Sequence, residues 1–317
     1  MHEEGMERWC RQRNAPAFRA SMPAPCFART TMRYRNAATR RPDPQDAARG
    51  EHGELLRLLL SVSLILVACL FAADRLAVWL APHLPFAAEV QLAESLKLDR
   101  LAPTLGGGAP GPQDAAIQQA LQQHAGRITA SLQLPPQMPI QLHYVAGDTV
   151  NAFATLGGHV FVFRGLLEKL RYEEELDAVL AHEIGHVANR HMVRQLSRGV
   201  MTASVLGLIG VRSPALNQWL IGDVQQLQML AYSREAEREA DATAQLASQR
   251  LHGGNQGLVK LFETFTALQA ERGVRAPAWL QSHPLPAERA EHARAAGQDA
   301  ARLTPLSGAL ALGRAEP

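Results

Sequence analysis

His182 and His186 stand four residues apart in the string HEIGH, with Glu183 directly after the first histidine. On a helix, residues four apart share a face, so the two imidazoles can point at one metal ion. Glu183 then falls beside the open coordination position, where a carboxylate can take a proton from metal-bound water. The chemistry open to such a trio is metal-assisted hydrolysis.

That chemistry needs a helix. From Tyr172 to Gln195 the chain has no proline and a single glycine, inside the motif. Leu176, Val179, Leu180, Ile184, Val187 and Met192 recur close to a 3.6-residue period. Glu173, Glu174 and Glu175 open the segment, where acidic groups complement the helix dipole. A catalytic zinc takes three protein ligands and a water, so a third ligand must come from elsewhere. The segment SREAEREAD, residues 233–241, offers one on a second predicted helix. Glu237 and Asp241 share one face of it, and Glu235 and Glu239 share another. One pair can serve the metal and the other be solvated beside Arg234 and Arg238. An Asp one turn after a ligating Glu can also accept a hydrogen bond from the far N–H of a ligating imidazole. Spacing alone does not choose between the pairs. His191 lies nine residues past His182, about 180° around a continuous helix, which argues for a structural role. His143 and His159 lie on strand-like segments without a nameable partner.

The 317 residues are 47% hydrophobic and carry a net charge of +2, enough for a core and no global signal for nucleic acid. Cysteine stops at Cys69, so thiolates do not hold the metal and no disulfide braces the region around it. Residues 1–53 form an Arg-rich region, with nine Arg and no acid between 8 and 41, and are expected to be disordered. Residues 54–81 read as a transmembrane signal anchor, built on the apolar run 55–73. Basic residues precede the run and are sparse after it, which places the chain beyond residue 81 outside the cytoplasm. This implies a bacterial inner-membrane protein, single pass, with its catalytic domain in the periplasm. Leu66-Val67-Ala68-Cys69 allows instead a lipoprotein anchored at Cys69, and the Arg-rich start allows a mitochondrial inner-membrane protein. Residues 82–112 read as juxtamembrane segment and linker, 113–300 as the folded domain, and 301–317 as a tail. Strands are predicted at 138–145, 149–155 and 159–163, with a tight turn at Gly157-Gly158. Helices are predicted around 224–250, 255–271 and 286–297. The apolar stretch 199–211 is too short to cross a bilayer.

HEIGHVANRH followed about fifty residues later by SREAEREAD resembles the HtpX-like and CAAX-prenyl-protease-like zinc metallopeptidases, metallopeptidase family 48, which are gluzincins. The resemblance covers about residues 113–297. It implies an α+β, mostly α-helical, zincin-like domain with a small sheet, and one Zn²⁺ per chain held by His182, His186 and Glu237, with Asp241 behind them. Asn151, Ala152 and Phe153 resemble the family's edge strand, which would pair with an extended substrate. His283 and Arg289 resemble its HPxxxxR element and imply a place near the oxyanion. Thr155-Leu156 and Ala290 depart from the family's pattern without touching the metal set. The implied partners are protein or peptide substrates in envelope quality control, through Glu183-activated hydrolysis. A single span sets the chain apart from the multi-span prenyl proteases. The different-class reading is an assembly factor or chaperone-like protein with a regulatory or rarely active zinc site.

Overall fold

A computed structural model describes residues 44–106, 111–208, 232–270, 278–283, 287–295 and 303–312. Several expectations fall partly outside them: the disorder of residues 1–43, linker residues 107–110, residues 209–211 of the short apolar stretch, and 224–231 of the long helix. The chain divides at Leu58. Residues 44–58, in the first unit, are the start of helix α1 (Pro44–Leu80). Along α1, Gly53–Leu80 is the one helix among the described residues long and apolar enough to cross a membrane. Leu58, Leu64, Val67 and Phe71 are all exposed along it.

From Leu59 onward the elements are α2 (Phe86–Ser95), α3 (Ala102–Gly106), α4 (Asp114–Leu132), β1 (Gln141–Val145), β2 (Ala152–Ala154), β3 (His159–Phe163) and α5 (Arg164–Leu167). Then come α6 (Glu173–Ala188), α7 (His191–Leu208), α8 (Arg234–His252), α9 (Gln256–Ala270), α10 (Ala278–Ser282) and α11 (Ala287–Ala295). The sheet order is β1-β3-β2, with β1 parallel and β2 antiparallel to β3. Gly157 and Gly158 turn β2 into β3 at positive φ (70° and 82°), and a Cβ on Gly158 would meet the Pro139 carbonyl oxygen at 1.9 Å. Only glycine fits there.

Helix α6 carries HEIGH and lies at the centre, packed against α4, α8, α9 and β2. Leu176, Val179, Leu180 and Ile184 are fully buried, and so is the small Ala178-Ala181 side. A helix buried on every side belongs to the core. Its start is fixed by Glu175, whose Oε2 accepts the N–H groups of Arg171 (2.7 Å) and Tyr172 (3.1 Å). Thr264 on α9 donates to the other oxygen.

The helix predicted to run on to Gln195 stops at Ala188. Asn189 donates its side-chain amide back to the Gly185 carbonyl, and Arg190 takes a left-handed conformation, φ 58°. That turn carries the Arg190 guanidinium to Glu89 on α2, 2.9 Å away, and to the Leu84 carbonyl. Residues 86–106 are packed on the domain as well: Ala93, Leu98 and Leu101 share a core with Phe153, Phe161 and Met192. In the segment read as a tail, Leu306 and Leu310 enter the main core.

Buried Asp177 on α6 accepts hydrogen bonds from His124 (2.6 Å) and His252 (2.8 Å). Burial acts to raise its pKa, but these two bonds together with the nearby Arg127 guanidinium outweigh it and hold the pKa low. The bond to Asp177 raises the pKa of His252. The stability from Asp177 is therefore present above its ordinary 3.8 and lost as pH falls through its lowered value. That from His252 is full below the ordinary 6.5 and lost as pH rises through its raised value. Asp177→Asn is expected to flatten both shoulders of a melting-temperature profile against pH. Unchanged slopes on both sides would contradict this reading of the cluster.

Candidate metal centre

His182 and His186, one turn apart on α6, turn their Nε2 atoms toward each other at 3.1 Å. Glu237 on α8 lies 3.6 Å from both. His283, immediately after α10, brings Nδ1 within 2.9 Å of Glu237 Oε1 and 3.3 Å of His182 Nε2. One donor atom from each of these four buried residues lies within 4.8 Å of the others.

The helices can approach this closely because of Gly185. A Cβ there would stand 3.0 Å from Thr243 Cβ and 3.1 Å from Ala240 Cα on α8, the helix that carries Glu237 and Asp241. Gly185→Val is expected to force α6 and α8 apart, costing about 1–3 kcal/mol as overpacking does. Chemical denaturation measures this, and a midpoint equal to wild type would show that the contact yields freely.

The far nitrogens of both imidazoles are engaged. His182 Nδ1 is 3.0 Å from Asp241 Oδ1. Arg289 on α11 grips Asp241 through Nε and Nη2, each at 2.7 Å, and its Nη1 is 2.7 Å from Glu237 Oε2. All three guanidinium nitrogens thus face the carboxylates of Asp241 and Glu237. His186 Nδ1 is 2.8 Å from His191 Nδ1, and the Tyr232 ring stacks on His186 at 3.9 Å.

Glu183 is fully buried. Its Oε2 accepts the Ala154 N–H (3.0 Å) and its Oε1 the Trp279 indole N–H (2.9 Å). Burial pushes its pKa up to about 8. Burial likewise raises Glu237 and lowers His182 and His186, and it takes His283 down to about 3. Asp241 goes the other way, to about 2, because the hydrogen bonds from His182 and Arg289 outweigh its burial. Neutral imidazoles presenting lone pairs beside under-compensated carboxylates form a set that a divalent cation completes. Nitrogen and carboxylate donors with no thiolate suit zinc.

Of the two carboxylate pairs on α8, Glu237 and Asp241 face this centre, Glu235 is exposed, and Glu239 is half-buried. Asn151, Ala152 and Phe153 are buried at the outer edge of the sheet. Phe163 N–H donates to the Asn151 carbonyl and Thr155 N–H to that of His159. Antiparallel alternation then turns the Phe153 backbone toward β3 and the Ala152 and Ala154 backbones away from it, where Glu183 accepts the Ala154 N–H. His143 and His159 are partners of each other, at 2.7 Å.

Residues 113–296, more than half of the chain, match the family model of peptidase family M48. The chain belongs to peptidase family M48. Among similar proteins, metalloprotease YcaL of Escherichia coli is 34% identical over 155 residues, 48% of this chain and 59% of that protein. The beta-barrel assembly-enhancing protease of E. coli is 31% identical over 202 residues, 60% of this chain and 41% of that protein. Mitochondrial metalloendopeptidase OMA1 of Schizosaccharomyces pombe is 33% identical over 150 residues, 45% of this chain and 42% of that protein. The chain thus spans between 41% and 59% of the length of these relatives. The M48 match ends at residue 296 and so takes in α6, α8, α10 and α11, the four elements around the donor cluster.

Trp279 and Tyr232 are site residues to which the motifs give no role. Trp279 stands four residues before His283 and stacks against it at 4.8 Å, a spacing that could have flagged it.

Proposed function

We propose that this chain is a membrane-anchored zinc metalloendopeptidase, with His182, His186 and Glu237 as zinc ligands, Asp241 orienting His182, and Glu183 as general base. The observation that carries this is Glu183: a fully buried carboxylate beside the donor cluster, held by the Ala154 and Trp279 N–H groups. Zinc, when bound, supplies Lewis acidity that polarises the scissile carbonyl and acidifies water. Glu183 takes the proton of the attacking water and delivers it to the leaving amine. Arg289 bridges Glu237 and Asp241 and keeps them in place.

The edge strand at 151–154 is the proposed seat of an extended peptide backbone. Asn151 supports this, because its buried side-chain amide has no hydrogen-bond partner among the described residues. A group left so in a native protein costs about 1–3 kcal/mol and calls for a use.

Residues 54–81 are proposed as the anchor, with the domain on the far side of a bacterial inner membrane. Misassembled envelope proteins are the proposed substrates, a reading supported by the name of the E. coli relative, a beta-barrel assembly-enhancing protease. The test uses the full chain in detergent with an unfolded protein as substrate. Cleavage is expected, ending with a zinc chelator and returning with added zinc. Cleavage that persists under chelation would overturn the proposal.

One observation favours a second reading, a regulatory or rarely active zinc site. His283 joins the donor set as a fourth member, and four protein ligands make a closed centre. His283→Ala decides between the roles. Faster cleavage marks His283 as a closing ligand, and slower cleavage marks it as a catalytic partner.

A further inference from the structure

We infer that His191 and Glu239 form a hydrogen-bond relay that fixes the orientation and tautomer of the His186 imidazole, making both positioning residues for the metal centre. This deepens the metallopeptidase reading and rests on it. For His186 Nε2 to offer a lone pair to the centre, its Nδ1 must carry the proton. That nitrogen faces His191 Nδ1 at 2.8 Å, so His191 Nδ1 must be the acceptor. The His191 proton then sits on Nε2, which lies 2.9 Å from Glu239 Oε2. Arg194 completes the line, its Nη1 3.0 Å from the same Glu239 oxygen. Every proton in the chain has one place that satisfies its neighbours.

The arrangement mirrors the one behind the other ligand. His182 is backed by Asp241, which Arg289 holds. His186 is backed by His191, then by Glu239, which Arg194 holds. Each imidazole thus has a carboxylate and an arginine behind it, one directly and one through an interposed ring. His191 reaches this place because α6 ends at Ala188 and Arg190 turns the chain in the left-handed region. On a continuous helix it would point away. His191 is 3% exposed, which an imidazole tolerates only when its nitrogens are paired.

Ligand-backing partners of this kind change metal affinity by about 10–100-fold when removed. The test measures zinc affinity of the full chain in detergent by competition with a chromophoric chelator, which needs no substrate. His191→Phe keeps a ring but no acceptor and is expected to weaken zinc by about 10–100-fold. His191→Asn places an amide oxygen near the lost Nδ1 and is expected to recover most of that loss. Glu239→Ala is expected to weaken zinc in the wild-type background and to add little to His191→Phe, since both interrupt one chain. Melting of the zinc-free variants controls for a merely structural role and is expected to change far less than zinc affinity. The relay is wrong if His191→Phe binds zinc as tightly as wild type, or if the Phe and Asn variants bind alike. A wild-type chain that takes up no zinc would instead overturn the metallopeptidase reading, and the relay with it.

Discussion

Glu183→Gln is expected to lower peptide hydrolysis by roughly 10²–10⁴-fold, the contribution of a positioned general base. The substitution preserves shape and removes a buried carboxylate that, unlike Glu237 and Asp241, has no arginine at hydrogen-bond distance among the described residues. The amide is not silent locally. The carboxylate accepts from two fixed donors, the Ala154 and Trp279 N–H groups. A glutamine can accept only one, and its NH₂ must face the other donor, at a cost of about 1–3 kcal/mol. Part of that cost is offset because a buried charge is gone. Zinc content should be unaffected, since Glu183 is not among the donors. Steady-state kinetics on an unfolded substrate measures the loss. Retention of more than a tenth of wild-type turnover would remove Glu183 as the base.

Arg289→Met is expected to destabilise the fold by about 3–5 kcal/mol, the cost of breaking a buried ion pair by taking away one partner. The guanidinium is 5% exposed and bridges Asp241 and Glu237. Without it two buried carboxylates repel each other beside imidazoles that burial keeps neutral. Added zinc should recover part of the loss by compensating Glu237. Arg289→Lys should rescue little, because an ammonium is a point charge and cannot span Asp241 with a bidentate fork while reaching Glu237. Thermal unfolding with and without zinc reads the effect, on the order of 10 °C at this size. A shift under about 2 °C would mean that Arg289 is not the counter-charge described here.

The parts of the centre set by local period were readable from the residues. His182 and His186 share a face because they are four apart, and Glu237 and Asp241 do so for the same reason. Spacing left Glu235 and Glu239 as equals, and their separation comes from the packing of α8 against Gly185, a tertiary fact. The end of α6 was not readable. Arg190 is neither glycine nor asparagine, the residues that usually announce a left-handed position, and its partner Glu89 lies about a hundred residues earlier. That one turn moves His191 from a distant face to the back of His186. The Trp279–Glu183 bond joins positions 96 apart, with no periodic pattern linking them. Residues 82–112 read as a juxtamembrane segment and linker, and the period within them did not say where that segment would dock; Ala93, Leu98 and Leu101 lie in one core with Phe153 and Phe161 of the sheet.

A zinc centre built by His182, His186 and Glu237 underlies every functional reading given above. Its most direct test is the metal content of the purified full chain, wild type beside Glu237→Ala. About one zinc per chain is expected in the wild type, and its loss from the variant under mild dialysis. A wild-type chain without zinc, or a variant that keeps its full complement, would contradict such a centre.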